Sequence, residues 1–150
     1  MTAFQFLTCF GARPAQDTLA ALVLHGLFDR FPRLRVASIE NGSDWVPPLL
    51  KNLEKVGRVA ITSQGGAKAA RTTRPPHEVF KEHVFVAPFF EDDVYKLVDT
   101  IGSERVLFGS DWPHPEGIAA PLDFLAEVED LPPAALRRVM RENTAGILGL

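Results

Sequence analysis

Three short apolar segments, each followed by a polar loop and then by helical periodicity, place the strongest constraint on how this chain folds. The segments span residues 34–39, 83–87 and 105–108, and the apolar residues after them recur at helical spacing. Consecutive strand–loop–helix units require parallel strands joined by right-handed crossovers. The sequence therefore predicts an α/β fold in which the three strands end at one rim.

Capping residues and prolines predict where the helices lie. A first helix covers about 15–30 and is stopped by Phe31-Pro32. The helix after the first strand is capped by Asn41 or Ser43, and three acids at 91–93 occupy the first turn of the helix after the second strand. Two further helices are predicted: one carries Leu122, Leu125 and Val128, and a final one follows the prolines at 132–133. The small, polar and basic segment 63–74 is predicted to be a surface excursion.

The loop after the third strand carries the first candidates for chemistry. In FGSDWPHPEG, residues 108–117, Asp111 and His114 follow an apolar run that ends abruptly at glycine and proline. Open α/β sheets and β/α barrels bind their ligands beyond the carboxyl ends of strands. Two interpretations of Asp111 stay open from the residues alone: a turn residue that satisfies backbone amides, and a group that binds a ligand. Glu40, at the end of the first strand, belongs to the same rim.

Composition excludes several classes of function. The chain has 150 residues, which suits one domain, and a formal net charge of -3, so no broad basic surface is available for nucleic acid. Cys9 is the only cysteine, which excludes an internal disulfide and a cysteine-based zinc site and fits a reducing, cytoplasmic setting. No apolar run approaches the length that spans a bilayer, and no secretion signal is evident.

Two long runs carry a resemblance to a known family. Residues 13–55, and residues 83–150 with HVFVAPFFEDD, GSERVLFGSDWPHPEG and RENTAGILGL, resemble the C-terminal part of the amidohydrolase-related proteins. That branch includes aminocarboxymuconate-semialdehyde decarboxylase and related metal-dependent hydrolases and decarboxylases. The resemblance implies that residues 1–150 form part of a (β/α)8 TIM barrel, namely its last three βα units plus the C-terminal helices.

The resemblance also implies a divalent metal, zinc or manganese, at the carboxyl rim of the barrel. In the family, the ligands are a His-x-His pair on the first strand, a histidine on the fifth and an aspartate after the eighth, and Asp111 matches that aspartate. Decarboxylase relatives have a histidine after the sixth strand, where this chain has Glu40. Glu40 is therefore a candidate for proton transfer, while His114 either orients a neighbour by a hydrogen bond or contacts the substrate.

The chain also departs from the family pattern. No His-x-His pair occurs in the 150 residues, and one family ligand of four is present, so this chain alone is expected to bind metal weakly at best. Three parallel strands would leave open edges through which the chain could self-associate. We expect a fragment of a longer gene product, rather than a truncated reading frame or a subunit that completes its sheet with another chain.

Two functions remain under consideration. The first is a metal-dependent hydrolase or decarboxylase that acts on a small carboxylated or cyclic metabolite. The second is a non-catalytic barrel fragment or assembly module that lacks metal.

Overall fold

The described residues form two compact units. The computed structural model describes residues 1–62, 74–114 and 117–150. The first unit comprises residues 1–34 and 45–83, and the second comprises residues 35–44 and 84–150. The predicted surface excursion at 63–74 lies, except for Arg74, outside the described residues.

The first unit is helical. Its helices are α1 Ala3–Phe10, α2 Arg13–Leu24, α3 Leu27–Arg30, α4 Val46–Thr62 and α5 Pro76–His83. The prediction of one helix over 15–30 was wrong, because Gly26 adopts a left-handed φ of 67° between α2 and α3. The core of this unit consists of apolar side chains from α2 to α5 and the residue before α4: Leu19, Val23, Phe28, Trp45, Val46, Leu49, Leu50, Leu53, Val79 and Phe80.

A buried histidine closes one end of this core. His83, at the end of α5, is 3% exposed and stacks on the Phe28 ring with 4.5 Å between the centroids. Its Nδ1 lies 2.9 Å from the carbonyl oxygen of Leu34. His83 therefore helps to hold the first unit together, since its polar nitrogen is paired and its ring face is covered.

The second unit contains the parallel sheet. Strands β1 Val36–Ser38 and β2 Val84–Val86 pair in parallel, with Val36 opposite Val84 and Ser38 opposite Val86. The third segment joins through a parallel bridge between Val86 and Val106. The parallel order expected from the sequence is confirmed. The strands are shorter than predicted, and the third is a single bridge because a 3₁₀ turn, Ser103–Arg105, takes its first residue.

The C-terminal helix bonds to the outer side of this third segment. The Leu107 amide donates to Val86, towards β2, whereas the Phe108 amide donates to the carbonyl of Val139 at 3.0 Å. The Asn143 amide group donates to the carbonyl of Val106 at 2.7 Å and to that of Ser103 at 2.8 Å. Part of the strand edge that the sequence predicts to be open therefore has its backbone amide and carbonyl groups hydrogen-bonded to this helix.

The remaining helices of the second unit follow the prolines and caps. They are α6 Val94–Ile101, a 3₁₀ helix Pro121–Glu127, and a run of α7 Pro133–Arg137, a π-helical turn Arg138–Glu142 and α8 Asn143–Leu148. Of the three acids before α6, Asp93 caps the helix by accepting from the Lys96 amide. The α-helix predicted after the Asp111 loop is 3₁₀, in a short stretch that begins at Pro121 and ends before Pro132. Within the described stretches, no helix has the length and apolarity needed to cross a membrane.

Candidate functional site

Asp111 and Glu40 share an unusual backbone conformation. Their φ angles are 56° and 58°, and they are the two non-glycine residues with positive φ in the described part of the chain. L-residues pay roughly 1–2 kcal/mol to adopt this left-handed region. Both residues lie shortly after a strand segment of the second unit. Strained positions of this kind cluster at functional sites, so the backbone independently marks two of the residues chosen from the sequence.

The loop after the third strand segment closes tightly around Asp111. The His114 amide donates to the Asp111 carbonyl at 2.9 Å, across a turn that contains a cis Trp112–Pro113 bond. The Ile118 amide donates to the Ser110 carbonyl at 2.8 Å. A Cβ added at Gly117 would lie 2.5 Å from the Asp111 carbonyl oxygen, so only glycine fits where the loop returns.

The Asp111 carboxylate is paired with the His114 ring. Oδ1 of Asp111 lies 3.3 Å from Nδ1 of His114. The Asp111 side chain is 16% exposed, whereas that of His114 is 54% exposed. The structure therefore brings two of the three predicted site residues together, with the carboxylate sheltered and the imidazole accessible to a ligand.

A cavity of about 180 Å³ lies beside Asp111, and it is lined by Phe89, Phe90, Glu91 and Asp111. Phe89, Phe90 and Glu91, which lie in the loop after β2, were not predicted as site residues. Their signal was topological, because they follow the carboxyl end of a parallel strand as Glu40 and Asp111 do. Glu40 is exposed, and neither it nor His114 lines this cavity.

Asp92 ties the loop after β1 to the loop after β2. Its Oδ2 accepts from the Ser43 amide at 2.6 Å, from the Ser43 hydroxyl at 2.9 Å and from the Phe89 amide at 3.0 Å. The sequence assigned Glu91, Asp92 and Asp93 to the first turn of α6, and this assignment was wrong, because α6 begins at Val94 and Asp93 is its N-cap. Ser43, which with Asn41 was one of two predicted caps for the helix after β1, is instead a partner of Asp92, and α4 begins only at Val46.

The described residues do not complete a metal centre. Across residues 1–62, 74–114 and 117–150, no three histidine, cysteine, aspartate or glutamate side chains are grouped so that they could hold a metal ion. A catalytic zinc needs three protein ligands. Asp111 supplies one sheltered carboxylate, which fits a single ligand but not the whole coordination sphere.

Comparisons with known proteins agree on one family. The family model described as amidohydrolase matches residues 3–150. The crystal structure of an amidohydrolase from Mycobacterium avium subsp. paratuberculosis K-10 is 38% identical, with a TM-score of 0.82 over 92% of this chain and 34% of that one. The 5-carboxyvanillate decarboxylase LigW from Sphingomonas paucimobilis is 25% identical, with a TM-score of 0.67 over 87% of this chain and 38% of that one.

This chain belongs to the amidohydrolase family, as the runs at 13–55 and 83–150 predicted. It spans about a third of the length of the two solved structures. Membership supports metal-dependent hydrolase or decarboxylase chemistry at the level of the family.

Proposed function

We propose that the protein to which this chain belongs is a metal-dependent hydrolase or decarboxylase that acts on a small carboxylated or cyclic metabolite. The observation that carries the proposal is the Asp111 carboxylate, which lines a cavity from a strained position after the third strand segment. A metal ligand needs such a fixed position, because its site must be held before the ion binds.

Three residues have proposed roles. Asp111 is the metal ligand that this chain contributes, with zinc or manganese as the ion. Glu40 is a candidate for proton transfer, and His114 orients the Asp111 carboxylate or contacts the substrate. The other ligands lie outside these 150 residues, so the reaction belongs to the whole protein, in a proposed cytoplasmic setting and as part of a TIM barrel.

The cavity supports a small-molecule substrate. An engineered apolar cavity of about 150 Å³ holds a benzene ring, so the cavity beside Asp111 suits a group of similar size. Two of its lining residues are phenylalanines, and two are carboxylates. The carboxylates suit a cation or a hydrogen-bond donor, and the aromatic rings suit a flat apolar group.

Metal analysis after exhaustive dialysis tests the proposal. The whole protein to which this chain belongs and its Asp111→Asn variant are loaded with zinc or manganese, dialysed, and measured by inductively coupled plasma mass spectrometry, because Asp111 alone is not expected to retain the ion. Stoichiometric metal in the parent that is lost in the variant supports the enzyme. Equal metal contents in the two proteins contradict the role of Asp111.

The second candidate is a non-catalytic barrel fragment or assembly module. It is favoured by the lack of a His-x-His pair in the sequence and by β1, which among the described residues has a strand neighbour on one side. We propose that any self-association uses the open side of β1, because the outer side of the third segment is bonded to Val139 and Asn143. Absence of retained metal in the whole protein, together with concentration-dependent sedimentation of this chain, favours this candidate.

A further inference from the structure

One carboxylate oxygen links the loop after β1 to the loop after β2 through three hydrogen bonds. Oδ2 of Asp92 accepts from two groups of Ser43 and from the Phe89 amide, all within 3.0 Å. Ser43 is 4% exposed, so its hydroxyl and amide depend on this partner. Hydrogen bonds to a carboxylate are about twice as strong as those between neutral groups, so the three bonds to Asp92 form a strong connection between these loops.

The two loops also approach each other closely. Gly42 has a φ of 60°, and a Cβ placed there would lie 2.9 Å from the Phe89 ring and 3.3 Å from Oδ2 of Asp92. The Phe89 ring therefore packs directly on the backbone of the loop that begins at Glu40. Phe89 is also a wall of the cavity beside Asp111. A displacement of the 40–43 loop would therefore also displace the Phe89 ring that lines the cavity.

We propose that Asp92 is a positioning residue: it holds the 40–43 loop against Phe89, fixes the wall of the Asp111 cavity, and so sets the affinity of that cavity for a single-ring ligand. This inference rests on the proposed function in one respect, namely that the cavity receives a ligand. A bound divalent ion would offset the charge of Asp111 and allow a carboxylated substrate, but without that ion Glu91 and Asp111 would repel an anion, so the suitable probe for this chain alone is an uncharged ring that donates a hydrogen bond.

Asp92→Asn tests the proposal with Asp93→Asn as its matched control. An amide oxygen is a weaker acceptor than a carboxylate oxygen, so the three bonds that Ser43 and Phe89 donate to this position become weaker in Asp92→Asn. Asparagine caps a helix about as well as aspartate does, so Asp93→Asn changes little. We expect the Ser43 and Phe89 amides to exchange hydrogen about tenfold faster in Asp92→Asn, with no change in Asp93→Asn.

Phenol is the ligand probe, and amide chemical shifts report its binding. We expect the Kd for phenol to rise about tenfold in Asp92→Asn and to stay unchanged in Asp93→Asn. Val128→Ala, which truncates a fully buried residue, controls for lost stability and is expected to keep the parent Kd.

The outcomes separate the two proposals. Unchanged exchange at Ser43 and Phe89 in Asp92→Asn overturns the positioning role, as does an unchanged Kd for phenol. An equal loss of phenol affinity in Val128→Ala also overturns it, because the effect would then follow stability alone. Parent protein that binds no phenol, while exchange responds to Asp92→Asn, contradicts the ligand cavity of the proposed function instead.

Discussion

Gly117→Ala should displace the loop that holds Asp111. The added Cβ would lie 2.5 Å from the carbonyl oxygen of Asp111, 2.7 Å from its carbonyl carbon and 2.9 Å from the carbonyl oxygen of Ser110, whereas ordinary contact begins at 3.4 Å. These are main-chain atoms, which cannot rotate away as a flexible side chain can. The loop must therefore open by roughly 1 Å to accept the methyl group, a form of overpacking.

The cost of this opening follows from the bonds it breaks. Overpacking costs about 1–3 kcal/mol, and the 2.8 Å bond from the Ile118 amide to Ser110 would lengthen beyond hydrogen-bonding range. Losing that bond adds about 1 kcal/mol. For a chain of this size, a total of about 3 kcal/mol lowers Tm by about 6–12 °C.

Thermal denaturation followed by circular dichroism measures this effect, with amide exchange at Ile118 as the local readout. Gly146→Ala is the matched control, because nothing lies within 4 Å of its added Cβ and the residue lies in α8. Alanine there should stabilise the helix by about 0.5–1 kcal/mol. A Gly117→Ala variant that melts with the parent and keeps slow exchange at Ile118 would refute the reasoning.

Three further predictions concern the second unit. Asn143→Ala removes the donor for the carbonyls of Ser103 and Val106 and should cost about 2 kcal/mol in urea unfolding; an unchanged midpoint contradicts the helix-to-strand contact. Glu40→Gly relieves a φ of 58° at an exposed residue and should increase the free energy of unfolding by about 0.5–1 kcal/mol, seen as a slightly higher Tm; a lower Tm would mean that the side chain is structurally required. Phe124→Ala empties a fully buried site and should cost about 3–5 kcal/mol in the same denaturation assay, whereas Leu122→Ala, at a side chain 75% exposed, should stay within about 0.5 kcal/mol of the parent.

The sequence predicted the parallel strand order because apolar periodicity and prolines act locally. Val84 to Val86 are continuously apolar and buried, and β1 pairs with them in the expected direction. Asp111 was identified from the same local signals, since it follows an apolar run within a short turn. Its pairing with His114 spans three residues and is therefore also a local contact.

The rest depends on contacts distant in sequence. Asp92 and Ser43 are 49 residues apart, and nothing near either residue indicates that they bond. The bond from Asn143 to the Val106 carbonyl, 37 residues away, has no local signal either. Phe89 and Phe90 line a cavity only because β2 ends beside the Asp111 loop, which the local sequence does not indicate. The break at Gly26, whose left-handed φ separates α2 from α3, could not be predicted from periodicity, because the apolar residues on both sides of it keep helical spacing.

The central claim is that Asp111 is the carboxylate through which this chain binds a divalent ion. Titration with Mn²⁺, monitored by paramagnetic broadening of backbone amide signals, tests it directly, because broadening locates even a weakly bound ion. We expect broadening centred on residues 110–112 and on Glu91 across the cavity, and its loss in Asp111→Asn. Broadening centred elsewhere, or unchanged in that variant, would contradict the account.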